Sequence, residues 1–101
     1  MKNTQLYTVE IKLLFRDLDT INNELPKIKN NLKQSFDNII VHFDLSDEID
    51  SLDRKSIGVR IEISQFDTKN NPTVIKEMSK EIIRSIKEFD IRDYSIRAYK
   101  D

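Results

Sequence analysis

Apolar and polar residues alternate from Leu6 to Arg16. Tyr7, Val9, Ile11, Leu13 and Phe15 fall on one side, with Thr8, Glu10, Lys12 and Arg16 on the other. A period of two predicts a strand covered on one face. Leu14 stands among the polar positions and interrupts the pattern once. The period then changes: Ile21, Leu25, Ile28, Leu32 and Phe36 recur at spacings of three and four, the stripe of an amphipathic helix. Pro26 cannot sit deep in a helix without costing roughly 3 kcal/mol, so either Asn23 caps the helix with Pro26 in its first turn or an earlier turn is kinked at Pro26, and the first is the expectation for the regular part.

Alternation returns over Asn38 to Leu45, with Ile39, Val41, Phe43 and Leu45 on one face and Ile40, His42 and Asp44 on the other. Ser46 to Ser56 carries Asp47, Glu48, Asp50 and Asp53 and then Arg54 and Lys55, and reads as a solvated connection, long for a hairpin. A third alternation places Ile57, Val59, Ile61 and Ile63 against Gly58, Arg60, Glu62 and Ser64. Asn71 and Pro72 have the chemistry of a cap and a first helical residue. The stripe Ile75, Met78, Ile82, Ile86 and Phe89 follows, and Tyr94, Ile96 and Ala98 alternate in a last strand.

The order strand, helix, strand, strand, helix, strand requires both helical stripes to cover one face of one sheet. The expected fold is therefore α+β: a ferredoxin-like βαββαβ two-layer sandwich, with an antiparallel four-stranded sheet and both helices on one face. At 101 residues the chain makes one domain over 1–101.

Composition narrows the chemistry. Seventeen basic against eighteen acidic side chains leave no long-range field to gather phosphate backbones or anionic membranes. The absence of cysteine removes disulfides, thiolate nucleophiles and sulfur-ligated metal sites. His42 is the one imidazole, and nucleophilic catalysis would need a Ser or Thr beside it and an orienting carboxylate. Gly58 is the one glycine, too few for a phosphate-cradling loop. No stretch approaches a membrane span and no signal-peptide pattern opens the chain, so the expected location is cytoplasmic.

The alternation leaves Glu10, Lys12, Arg60 and Glu62 on the central strands of the open sheet face, where an RNA-binding sheet would carry stacking aromatics. Cross-strand ion pairs are the plain reading of that face. A contact surface for a protein is the functional one, with Arg60, Arg97 and Tyr99 as anchors. Asp44, Asp47, Glu48, Asp50 and Asp53 lack the glycine and closing Glu of a calcium loop and read as an anionic patch for a basic partner. Lys27, Lys29 and Lys33 on the first helix have Glu24 as their one nearby acid and are where nucleic acid would bind. Phe15-Arg16-Asp17-Leu18-Asp19 resembles the strand-end aspartate of small CRISPR adaptation proteins of this topology. That resemblance implies metal-dependent phosphodiester cleavage; a helix cap at either Asp or at Thr20 is the structural reading of the same residues.

The resulting expectation is a non-enzymatic protein-binding module without metal or cofactor. It would occupy or pair with a partner protein's surface, as small inhibitors, immunity proteins and phage-borne antagonists of defence systems do. The alternatives are a nucleic-acid-associated protein and, behind it, a nuclease-type enzyme. Unpaired sheet edges add the expectation of a homodimer.

Overall fold

The computed structural model describes the backbone of residues 5–67 and 73–100 and the side chains of residues 8–64 and 76–98. Six elements follow in the expected order: β1 (Gln5–Phe15), α1 (Leu18–Lys33), β2 (Asn38–Ile49), β3 (Lys55–Asp67), α2 (Thr73–Ile86) and β4 (Asp93–Lys100). The strands form one sheet in the order β2-β3-β1-β4, every neighbouring pair antiparallel. This is the ferredoxin-like arrangement.

Alternation sets which face of the sheet is dry. Val9, Ile11 and Leu13 of β1 lie opposite Ile63, Ile61 and Val59 of β3, and all six are buried. The stripe Ile21, Leu25, Ile28 and Leu32 of α1, together with Met78, Ile82 and Ile86 of α2, closes over them in one cluster. Each fully buried side chain of this size contributes about 1.5–3 kcal/mol. Polar links tie the helices across their outer seam: Asn31 donates to the Ser85 carbonyl and to Glu88, and Ser35 donates to Glu81.

Two boundaries differ from the sequence expectation. Helix α1 starts at Leu18 rather than after Asn23, and Pro26 lies inside it. Asp17 is the cap: its carboxylate accepts from the Thr20 N–H at 2.8 Å and the Thr20 hydroxyl at 2.7 Å. Burying Ile21 requires the turn upstream of Pro26, and that burial together with the cap offsets the amide hydrogen bond Pro26 cannot make.

The expected long connection after Leu45 is mostly strand: β2 runs on to Ile49 and β3 begins at Lys55. A register shift between His42 and Ser46 places Phe43, Asp44 and Leu45 opposite Val59, a bulge that lets the solvated edge continue. The Asn71 and Pro72 cap falls outside the described residues.

Candidate functional site

The open sheet face is a lattice of ion pairs. Lys12 Nζ lies 2.8 Å from Glu48 Oε2, and the Arg60 guanidinium lies 3.6 Å from both Glu10 and Asp44. His42 Nε2 is 3.1 Å from Glu62 Oε1 but is buried without a well-aligned hydrogen bond. The Lys12 ammonium, then the Ser46 hydroxyl at 2.8 Å, hold the Glu48 carboxyl below its usual pKa.

Gly58 makes this crossing fit. A Cβ there would stand 2.7 Å from Ser46 Oγ, 2.9 Å from Glu48 Cγ and 3.4 Å from Leu14 Cδ2. Leu14, the residue that broke the first alternation, lies against the backbone that the glycine leaves bare. Arg60 is thus held between two carboxylates, Arg97 is exposed with its backbone opposite Glu10, and the Tyr99 side chain lies outside the described residues.

The five predicted acids do not form one patch. Asp44, Asp47 and Glu48 belong to β2, while Asp50 and Asp53 belong to the turn. Asp50 is buried and organises that turn: it accepts from the N–H groups of Leu52 and Arg54, each at 2.9 Å, and from Arg54 Nε at 2.7 Å. Burial alone would raise its pKa, and the Arg54 and Leu52 donors overcome that and lower it. Asp53 takes the left-handed conformation (φ 62) that completes a three-residue hairpin loop. Asp50 is therefore a structural residue, and Asp47 and Asp53 remain as exposed acids at this end.

The lysines of α1 are separated as well. Lys27 and Lys33 are exposed, whereas Lys29 is half-buried and lines a groove. Residues two apart on a helix point to different sides, so Lys27 does not join Lys29 and Lys33. Asp17 is occupied by its cap and by Arg16 at 3.3 Å, and the Thr20 hydroxyl, then the Thr20 N–H, lower its pKa. Among the described residues no three acidic or imidazole groups gather as a metal site.

Apolar surface is exposed along β2: Phe43 and Leu45 carry a core pattern, and Ile49 and Leu52 fall in the stretch expected to be a solvated connection. Phe43 is 74% exposed, Leu45 42%, Ile49 61% and Leu52 in the turn 70%. Five of the eight large apolar side chains that are exposed among the described residues lie within 40–52, too dense a cluster for scattered surface residues. Between β2 and α1 runs a groove of about 460 Å³. One wall is Val41, Phe43 and Leu45; the other is built mainly from Leu18, Ile21, Leu25, Pro26 and Lys29.

No family model matches the chain, and no curated protein does. Solved structures with a similar course include the de novo designed protein Foldit4 (TM-score 0.48, 13% identity, 98% of this chain and 97% of that one). B. subtilis GlnK, from its complex with ATP, is also similar (TM-score 0.40, 16% identity, 96% and 82%). A third is the de novo designed protein Ferredog-Diesel (TM-score 0.38, 17% identity, 98% and 86%). Among the described residues no helix is long and apolar enough to cross a membrane.

Proposed function

We propose that this chain is a non-enzymatic protein-binding module that works by covering a partner's surface, the mode of action of inhibitors and immunity proteins. The observation that carries the reading is the run of exposed apolar side chains along β2 and its turn, Phe43, Leu45, Ile49 and Leu52. Clustered exposed apolar surface costs solubility and is kept where another surface covers it. The contact is apolar in its centre and acidic at the tip, where Asp47 and Asp53 are exposed. This replaces the wholly acidic loop as the binding surface, since Asp50 and Glu48 are spent on internal hydrogen bonds and ion pairs.

The test is affinity capture of the tagged chain from lysate of the producing cells, with and without nuclease, read by mass spectrometry. One protein recovered in stoichiometric amount after nuclease treatment, and lost with Leu52→Asp, is the expected result. Recovery only together with nucleic acid, or equal recovery by the variant, overturns the reading.

A further inference from the structure

We propose that β2 exchanges between two pairing registers with β3, a conformational switch that leaves Phe43 and Leu45 exposed in one register and seats them over the sheet in the other. The exchange is a property of the fold; its use in regulating a partner contact rests on the protein-binding reading.

Strand β2 is an edge of the sheet, with β3 on one side only. On the hairpin side of the bulge, Ser46 faces Gly58, Glu48 faces Ser56 and Ile49 faces Lys55. On the far side, Asn38 faces Ser64 and His42 faces Arg60. Between these blocks three residues of β2, Phe43 to Leu45, stand against Val59 alone, so the strand holds two residues of slack. The even number matters. Sliding the far block by two residues moves the slack into the connection after α1 and returns every side chain to the face it already occupies. The hairpin register then continues without interruption: Leu45 faces Val59, Asp44 faces Arg60, Phe43 faces Ile61, His42 faces Glu62 and Val41 faces Ile63.

Side chains around the bulge already reach toward those partners. Arg60 lies 3.6 Å from Asp44 and His42 Nε2 lies 3.1 Å from Glu62, the two charged pairs that the slid register sets face to face. Both contacts persist through the slide, and direct facing offers the buried His42 Nε2 the aligned carboxylate it lacks. Phe43 moves to the station that Val41 holds, and the groove of about 460 Å³ beside Val41, Phe43 and Leu45 gives its ring room. The opposing terms are Ile39, which packs against the core in the bulged register and leaves it on sliding, and the fit of a phenyl ring where a valine stood. The connection at 34–37 lengthens by two residues, a small change because closure entropy grows only with the logarithm of loop length.

The chain has no cysteine, so introduced thiol pairs report which residues face one another. Disulfides close between facing residues, whereas diagonal neighbours lie about 7–8 Å apart and do not close. Under oxidised glutathione, His42→Cys with Arg60→Cys closes from the bulged register and His42→Cys with Glu62→Cys from the slid one. Both are expected to form, the second about 10- to 100-fold more slowly because it draws on the minor register. His42→Cys with Ser64→Cys belongs to neither register and is expected to stay reduced. A second pair that closes no faster than this third one overturns the exchange. The thiols replace charged pairs, so the unmodified chain is measured as well. NMR exchange from microseconds to seconds is expected at 38–45 and 59–64 but not at 46–49 and 55–58. A flat profile, or equal exchange in all four segments, overturns the proposal.

The two locked chains test the consequence. Fluorescence of anilinonaphthalene sulfonate, which reports exposed apolar surface, is expected to be about 3- to 10-fold lower with the slid register locked than with the bulged one. Equal dye binding overturns the burial of Phe43 and Leu45. Loss of the captured protein from the slid lock alone supports regulation of the contact. Equal capture by both locks removes the regulation and leaves the exchange standing. If the native chain captures nothing, the protein-binding reading falls while the register exchange is decided by the thiol and NMR results.

Discussion

Strands β3 and β2 are neighbours with nearly the same alternation of apolar and polar residues, and they use it differently. In β3 the residues Val59, Ile61 and Ile63 are sealed between the sheet and the helices. In β2 the burial stops partway: Ile39 and Val41 pack against the core, while Phe43, Leu45 and Ile49 on the same face meet solvent. A side chain is buried by the layer above it, and α1 lies across a groove from Phe43 and Leu45 instead of closing down on them. The helix leaves the edge strand uncovered there, and Ile49 lies further along the same strand. An identical residue pattern therefore builds a core at one place and a contact surface at the next.

The largest test of that contrast sets a central residue against an edge residue. Ile61→Ala is expected to cost about 2–5 kcal/mol in chemical denaturation, since the cavity lies under both layers. Phe43→Ala is expected to stay within about 0.5 kcal/mol for the isolated chain. Equal losses would mean that Phe43 is part of the core.

Gly58→Ala comes next, with an expected loss of about 1–3 kcal/mol in the same assay, because the new methyl would collide with Ser46 and Glu48 where β2 bulges against β3. A neutral result would show that the two side chains move aside freely. Asp50→Ala strips the hairpin loop of the acceptor for two backbone N–H groups, and a melting temperature lower by about 4–8 °C is expected by calorimetry.

Acid is expected to act on the same groups. Asp17, Glu48 and Asp50 have folded-state pKa values below their ordinary ones, so the native state holds fewer protons than the unfolded chain as pH falls. Their contribution is fully present above about pH 4–5 and disappears as pH drops through the lowered folded values. Melting temperature measured from neutral pH downward should be flat at first and then fall, and the fall should be shallower in Asp50→Ala. The smallest effect is expected from Asp53→Gly, which relieves a left-handed non-glycine residue and should leave stability unchanged or raise it by up to about 1 kcal/mol.

The fold was legible because its signals are local and repeated. Tyr7 to Phe15, Ile57 to Ile63 and the two helical stripes each carry a period that one secondary structure satisfies, and six such segments in this order leave few topologies. The candidate surface was less legible, for two physical reasons. Phe43 and Leu45 carry a core pattern, and nothing in their own sequence says that the helix beside them stands off across a groove. The acids after Leu45 carry a loop composition, yet Asp50 folds back on Leu52 and Arg54 and turns most of that stretch into strand.

By itself the sequence determined the order of strands and helices, the faces that alternate, and a side-chain inventory with no cysteine, one glycine and one histidine. The tertiary structure alone decided which alternating faces are covered, which carboxylates are spent on internal donors and where unpaired apolar surface remains. The division has one cause: periodicity is a property of neighbours along the chain, whereas burial and charge pairing depend on what the fold sets across from each residue.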